Sequence, residues 1–168
     1  MINEDSGEFI KSVAEWHPLP GSLEAIAALT AARVPVAVVT NQSGVGRGLY
    51  DEATLQTIHQ HMLAAIRAAG GDLAGIYYCP HLPDAGCECR KPRPGLFRRL
   101  EKELGLTVRG APYIGDRLSD LDAAAAVGAR AMLVRTGTGK AAAVAAARGV
   151  EVFDDLWAAV AAVLGETR

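Results

Sequence analysis

The sequence is poor in aromatic residues and has no excess of charge. Aromatic side chains make up 5% of the 168 residues, and 17 basic residues against 19 acidic ones give a net charge of −2. This balance provides no basic field, so neither nucleic acid nor an anionic membrane is expected as a partner. No apolar run is long enough to cross a bilayer. We therefore expect a soluble, globular, cytoplasmic protein that forms one domain over residues 1–168 and is monomeric.

Cysteine is also scarce, and its distribution is uneven. All three cysteines lie between positions 79 and 89, with a histidine among them, in the order Cys79-Pro80-His81 and Cys87-Glu88-Cys89. Three thiols cannot pair evenly, which argues against a disulfide framework. Three thiolates and one imidazole form a complete tetrahedral set for Zn²⁺. We predict a structural zinc loop; free buried cysteines are the alternative, and a catalytic zinc is disfavoured because four protein ligands leave no open position.

Apolar periodicity and turn residues predict strands that alternate with helices. Ser22 is the expected first cap, and Asp51 opens the second helix. Such alternation is typical of an α/β fold with a doubly wound parallel sheet. The predicted helices cover 22–33, 51–69, 94–104, 119–128, 140–148 and 154–164, and the predicted strands cover 34–39, 73–78, 111–114, 129–134 and the region around 152.

Polar groups follow three of these predicted strands. Ligands of parallel sheets bind beyond the carboxyl ends of the strands, so these groups should meet at one rim. Hydroxyls, amides and backbone N–H groups of the run 40–43 suit an anion, although an ordinary turn would also use them. Arg90 and Lys91 suit phosphoryl oxygens, or form a solvated surface pair. Asp116 suits Mg²⁺, or caps the following helix.

Several motifs together resemble those of the haloacid dehalogenase-like phosphatases. They are the runs 40–44 (TNQSG), 77–81 (YYCPH), 87–95 (CECRKPRPG) and 115–116 (GD), and the resemblance covers essentially the whole chain. It is strongest to the branch that carries a zinc loop. That branch implies hydrolysis of the 7-phosphate of D-glycero-D-manno-heptose 1,7-bisphosphate, a small sugar phosphate, through an aspartyl-phosphate and with Mg²⁺. Two alternatives are a histidinol-phosphate phosphatase and a non-catalytic zinc module that binds sugar phosphates.

The resemblance also implies a role for individual residues. Thr40 would bind the transferred phosphoryl group, and Lys91 would stabilise it. Asp116 would ligate Mg²⁺, with Asp120 behind it. The implied substrate contacts are Asp5, Thr40, Asn41, Gln42, Ser43, Arg90, Lys91 and Arg117, and the implied zinc ligands are Cys79, His81, Cys87 and Cys89.

The amino end departs from the family pattern. Members of the family begin with a buried strand that runs into Asp-x-Asp-Gly, whose first Asp is the nucleophile and whose second is the general acid/base. This chain opens Met1-Ile2-Asn3-Glu4-Asp5, as though it began just after that motif. We expect a start site placed too late, with Met1 encoded by GTG. The absent strand would be central, between those that end at Thr40 and Gly115. Such a polypeptide should be poorly stable and should not turn over phosphate esters.

Overall fold

Strands and helices alternate along the chain, as the sequence predicts. The computed structural model describes residues 1–4, 7–137 and 141–166. Its strands are β1 (Ala37–Asn41), β2 (Gly75–Cys79), β3 (Pro112–Gly115), β4 (Arg130–Val134) and β5 (Glu151–Phe153). Its α-helices are α1 (Ser22–Ala31), α2 (Ser43–Gly46), α3 (Glu52–Ala68), α4 (Gly95–Leu104), α5 (Leu118–Val127), α6 (Ala141–Ala147) and α7 (Leu156–Glu166), with a 3₁₀ turn at Val13–Glu15. The α/β prediction is confirmed. Residue 140, the expected start of the fifth predicted helix, lies outside the described residues.

Two predicted boundaries are wrong for local reasons. The first strand begins at Ala37 and not at 34, because the Val34 N–H bonds back to the Leu29 carbonyl at the end of α1. Ser22 does not cap α1; Gly21 occupies that position with φ of 77°. The Ser22 hydroxyl lies instead 2.7 Å from the Ile2 carbonyl, which anchors the amino end of the chain. Asp51 does cap α3, since its carboxylate accepts a 2.8 Å hydrogen bond from the Thr54 N–H.

Among the described residues, the parallel sheet is in two parts. β1 pairs with β2, and β3, β4 and β5 pair in that order, all in parallel. The free edges of β1 and β3 line one cavity of about 960 Å³. The Val36 and Ala111 carbonyls accept hydrogen bonds from the side of the neighbouring strands, and the direction of these groups alternates along a strand. The backbone groups that face the cavity are therefore those of Ala37 and Val39 on β1, and of Pro112 and Ile114 on β3. We call this space the interstrand gap.

Helices cover both faces of the divided sheet and keep its rim in place. The larger apolar core joins α1, α3 and α7 to the sheet through buried residues that include Ile26, Ile66, Met132 and Val160. A second core packs α4 against β2 through Tyr77, Leu96 and Leu100. Full burial of such side chains contributes roughly 1.5–3 kcal/mol each. None of the described helices has the length and apolarity that a membrane span requires.

Candidate active site

Lys91 lies at the carboxyl end of the interstrand gap, where its ammonium group has three partners. The Nζ atom donates to the Asp120 carboxylate at 2.8 Å, to the Val39 carbonyl at 2.7 Å and to the Tyr113 hydroxyl at 3.0 Å. Only 10% of the Lys91 side chain and 7% of the Asp120 side chain are exposed. The ion pair therefore holds a cation in a poorly solvated space, which is the environment in which a positive charge acts most strongly on an anion.

Asp120 uses both of its carboxylate oxygens. One accepts from Lys91, and the other accepts from the backbone N–H groups of Asp116 and Arg117, each at 3.1 Å. Burial opposes ionisation of this carboxyl, but the charge and hydrogen bond of Lys91 outweigh it, with further help from the two N–H groups, and the pKa of Asp120 is lowered. Asp120 is therefore ionised. Its carboxylate orients the Lys91 ammonium group and accepts hydrogen bonds from backbone N–H groups at the start of α5.

Tyr113 completes this group and was missed in the sequence. Its hydroxyl accepts from Lys91 and lies 3.3 Å from the Asp120 carboxylate, to which it can donate. Burial raises the pKa of the Tyr113 hydroxyl, and the Asp120 charge raises it further, so the group stays protonated. A usable signal was present, because a tyrosine in a short buried strand needs a polar partner for its hydroxyl.

The tip of β1 supplies hydroxyl and amide groups. The Gln42 amide donates to the Thr40 hydroxyl at 3.1 Å, and the Tyr50 hydroxyl donates to the Gln42 amide oxygen at 3.0 Å. Asn41 points elsewhere: its Oδ1 accepts from the Lys91 N–H at 3.0 Å, and its Nδ2 donates to the Lys91 carbonyl at 3.2 Å. The strand tip and the lysine loop are thus joined directly.

Asp116 follows β3 and borders the same cavity. Its carboxylate lies 3.7 Å from the amino group of Met1, and 18% of its side chain is exposed. Gly137 packs so closely that a Cβ there would collide with the Asp116 carboxylate. A half-buried strand-end carboxylate of this kind offers the hard oxygen ligand that Mg²⁺ prefers, so the residue fits the predicted metal.

The cysteine loop brings four ligand atoms together. The thiol sulfurs of Cys79, Cys87 and Cys89 lie 3.1–3.6 Å from one another, and the His81 Nδ1 lies 3.2 Å from Cys89 and 3.5 Å from Cys79. All four atoms lie within 4.8 Å of one another. The sulfur separations are too long for a disulfide bond, and the cysteines are free. Tetrahedral ligands about 2.0–2.3 Å from a central ion would have spacings of this size.

The three thiols differ in acidity. Burial opposes ionisation of Cys87, but hydrogen bonds from Cys89 and Cys79 outweigh it and lower its pKa to about 7. Burial and the two neighbouring thiols raise the pKa of Cys89 to about 12, and burial raises the pKa of Cys79. Three crowded thiols cannot all ionise without a cation among them. The cluster therefore has the chemistry of a metal site.

The remaining predicted contacts lie around the mouth of the cavity. Arg90 donates to the His81 carbonyl at 3.2 Å, and Arg117 is exposed at the start of α5. Asp5 lies outside the described residues. The cavity is lined by the predicted residues Thr40, Asn41, Gln42, Ser43, Arg90, Lys91, Asp116 and Arg117, together with Asp120. Groups that are far apart in the sequence thus share one space, which can hold an anion near a metal-binding carboxylate.

Comparisons of the sequence with known proteins give close relatives. The family model for HAD-hydrolase-like proteins matches residues 88–159. The chain is 44% identical over 165 residues to the D-glycero-beta-D-manno-heptose-1,7-bisphosphate 7-phosphatase of Pseudomonas aeruginosa, which covers 98% of this chain and 93% of that protein. It is 49% identical over 140 residues to the Bordetella bronchiseptica protein of the same name, with coverage of 83% and 78%.

The fold is similar to that of solved structures. The crystal structure of D,D-heptose 1,7-bisphosphate phosphatase from B. bronchiseptica, complexed with magnesium and phosphate, matches with a TM-score of 0.93 and 45% identity, covering 99% of this chain and 94% of that one. The corresponding enzyme from Burkholderia thailandensis matches with a TM-score of 0.72 and 38% identity, covering 96% and 95%. Both likenesses extend over almost the whole chain.

Proposed function

The chain belongs to the haloacid dehalogenase-like phosphatases, and we propose that its site removes the 7-phosphate of D-glycero-β-D-manno-heptose 1,7-bisphosphate. The observation that carries the proposal is the likeness over 98% of the chain to a relative named for that reaction. The relatives are named for the β anomer, which supports that anomer here. The largely buried Lys91 side chain at the cavity rim supplies the positive charge that phosphoryl transfer needs.

In this proposal the described residues bind and orient the phosphate. The Thr40 hydroxyl and the Lys91 ammonium hold the transferred phosphoryl group. The guanidinium groups of the half-buried Arg90 and the exposed Arg117 contact the rest of the substrate at the mouth of the cavity. Arg117 brings a planar, forked guanidinium group, whose shape differs from the point charge of a lysine.

Two metal ions fit the residues present. Asp116 would hold Mg²⁺, which when bound neutralises charge on phosphoryl oxygens. The cluster of Cys79, His81, Cys87 and Cys89 would hold Zn²⁺ with all four positions filled by protein, so its role would be to shape the loop that carries Lys91.

The nucleophile requires a separate proposal. The described aspartates that line the cavity are Asp116 and Asp120. Asp120 is engaged by Lys91 and two N–H groups, and Asp116 is the proposed metal ligand. We propose that the attacking carboxylate stands on a further strand that fills the interstrand gap, parallel to β1 and β3. Among the residues that the structure describes, the backbone N–H groups of Ala37 and Ile114 face the gap without a backbone partner, which supports this arrangement.

The test compares the chain with a version extended at its amino end by an apolar strand and an Asp-x-Asp-Gly motif. We expect phosphate release from heptose 1,7-bisphosphate only in the extended version, with heptose 1-phosphate as the remaining product. In that version Lys91→Met should lower kcat by about 100-fold or more, because a positioned charge is lost. Lys102→Met, on the exposed face of α4, is the matched control.

Two outcomes would contradict the proposal. If the extended enzyme prefers histidinol phosphate, the substrate assignment is wrong. If it folds and binds sugar phosphates but releases no phosphate, the chain is a binding module and not an enzyme. Turnover by the unextended chain, purified free of host phosphatases, would contradict the proposed position of the nucleophile.

A further inference from the structure

We propose that Asn41 is a positioning residue whose side-chain amide fixes the backbone of Lys91 and so directs its ammonium group into the cavity. The identity of the anion that Lys91 meets rests on the proposed function; the positioning does not. The role differs from the substrate contact that the family resemblance implies for this residue.

The two hydrogen bonds between these residues are reciprocal. The Asn41 Oδ1 accepts from the Lys91 N–H at 3.0 Å, and the Asn41 Nδ2 donates to the Lys91 carbonyl at 3.2 Å. An amide side chain thus pairs with one residue of the loop as a neighbouring strand would. Asn41 is the last residue of β1, whose backbone is held by β2, so the pairing ties the loop to a rigid element.

The loop is held from its other side as well. Arg90 donates to the His81 carbonyl at 3.2 Å, and Arg93 donates to the Cys87 carbonyl at 2.8 Å. The Gly95 N–H also donates to the Glu88 carbonyl at 3.0 Å. These bonds link the segment 87–95 to itself and to the cysteine loop, whereas the Asn41 pair is the direct backbone link from Lys91 to the sheet.

A fixed backbone matters because lysine is flexible. Its four-carbon stem carries a point charge that can adopt many positions, and an unrestrained side chain loses conformational entropy each time it must bind. The Lys91 Nζ reaches partners from three places, namely Val39 on β1, Tyr113 on β3 and Asp120 on α5. All three contacts form together only if the Lys91 Cα is held at one point between them.

The test measures how fast each lysine amine of the intact chain reacts with an acylating reagent, by mass spectrometry. In the wild type Lys91 should react more slowly than the exposed Lys102, since its side chain is largely buried and its Nζ has three hydrogen-bond partners. In Asn41→Leu the Lys91 rate should rise about tenfold, which corresponds to the loss of one or two ordinary hydrogen bonds. The rate at Lys102 should stay the same, whereas a general loss of structure would raise every rate.

Gln42→Leu is the matched control. Gln42 is the adjacent amide, and its hydrogen bonds go to Thr40 and Tyr50 and not to Lys91. We expect no change in Lys91 labelling in this variant. If Asn41→Leu does not fold, Asn41→Asp replaces it: the carboxylate still accepts from the Lys91 N–H but cannot donate to the Lys91 carbonyl, and an intermediate Lys91 rate is expected.

Inorganic phosphate binding, measured by calorimetry, provides the second readout. We expect Asn41→Leu to weaken it about tenfold in step with the labelling change. Weaker phosphate binding with unchanged Lys91 labelling would mean that Asn41 contacts the anion itself and would overturn the proposal, as would unchanged labelling alone. If the wild type binds no phosphate, the proposed function fails, while the labelling result still decides the role of Asn41.

Discussion

Asp120 holds the Lys91 ammonium at 2.8 Å in a space where both side chains are largely buried. Removing one partner of a buried ion pair leaves the other charge without compensation, which costs about 3–5 kcal/mol. We therefore expect Asp120→Asn to lower the free energy of unfolding by about 3 kcal/mol, measured by urea denaturation. Asp122→Asn removes an exposed pair with Arg148 and should cost less than about 1 kcal/mol. If both variants lose the same free energy of unfolding, the buried pair contributes no more to stability than the exposed one, and the prediction is wrong.

The same pair gives the protein a defined response to acid. The pKa of Asp120 is lower in the folded chain than in the unfolded chain, where it is about 3.9. The unfolded state therefore binds the proton first as pH falls. The stabilisation is fully present above about pH 3.9 and is lost as the pH drops through the folded pKa. Unfolding curves at pH 3 and pH 6 should differ less for Asp120→Asn than for the wild type.

His59 should cause a second pH dependence at milder acidity. It is buried on α3 with its ring 5.5 Å from that of Tyr78, and burial lowers its pKa below the ordinary value of about 6.5. The unfolded chain binds this proton more readily, so stability is complete above pH 6.5 and declines as pH falls below it.

We expect His59→Leu to reduce the loss of stability between pH 7.5 and pH 5.5, where a depressed His pKa matters most. Thermal unfolding at the two pH values measures it. His17→Gln, at an exposed position, is the control and should leave the difference unchanged. If His59→Leu loses as much stability between pH 7.5 and pH 5.5 as the wild type, His59 is not the cause of this pH dependence.

Strand ends could be read from the sequence because each followed an apolar run and carried polar residues. Thr40, Lys91 and Asp116 were expected at one rim, and they line one cavity. Partners inside the site were harder to predict. The hydrogen bonds of the Asn41 side chain to the Lys91 backbone depend on the distance between a strand end and a loop 50 residues further on, which no local pattern encodes. Tyr113 was overlooked because its strand reads as continuously buried.

The cysteine loop is the element whose geometry the sequence specified most fully. Four ligands within eleven residues could be identified from spacing alone, and their atoms do meet. We expect the purified chain to contain one zinc ion, measured by elemental mass spectrometry, and His81→Ser to reduce that content strongly. His17→Ser, outside the loop, should retain it. A full zinc content in His81→Ser would mean that the ion sits elsewhere.

Chelation should also weaken the fold. A metal ion whose free concentration is 1,000 times its Kd stabilises the folded state by about 4 kcal/mol, provided that it does not bind the unfolded chain. We therefore expect the unfolding midpoint to fall on addition of a strong chelator and to recover when zinc is returned. An unchanged midpoint in a zinc-containing sample would show that the loop does not contribute to stability.

The division of the sheet is the largest feature that bears on the molecule as a whole. Within the described ranges, the N–H groups of Ala37, Val39 and Ile114 face the interstrand gap without a backbone partner, while those of Val38 and Tyr113 face paired strands. Hydrogen exchange should therefore be fast at the first three and slow at the last two. Extension by the apolar strand should slow the first three by at least about tenfold. Equal exchange at all five before extension would contradict an open gap.

Alternation of helices and strands fixed the fold class, because periodicity is a local property. The width of the space between β1 and β3 is not a local property, because it depends on how the helical layers pack. It could not be predicted from the sequence alone. The expected central position, between strands ending at Thr40 and Gly115, coincides with the gap that separates the two parts of the sheet. The proposed strand there stays a prediction.

The contacts of Lys91 mean that, at the rim, the two parts of the sheet are connected by a charged side chain and not by hydrogen bonds between strands. Its ammonium reaches the Val39 carbonyl on one side and Asp120 and Tyr113 on the other. Salt at ordinary concentrations barely weakens the Lys91–Asp120 ion pair, because it is largely buried. Protonation of the Asp120 carboxylate removes the ion pair. Acid should thus weaken the contact between the two parts of the sheet at the rim before the apolar core that they share unfolds.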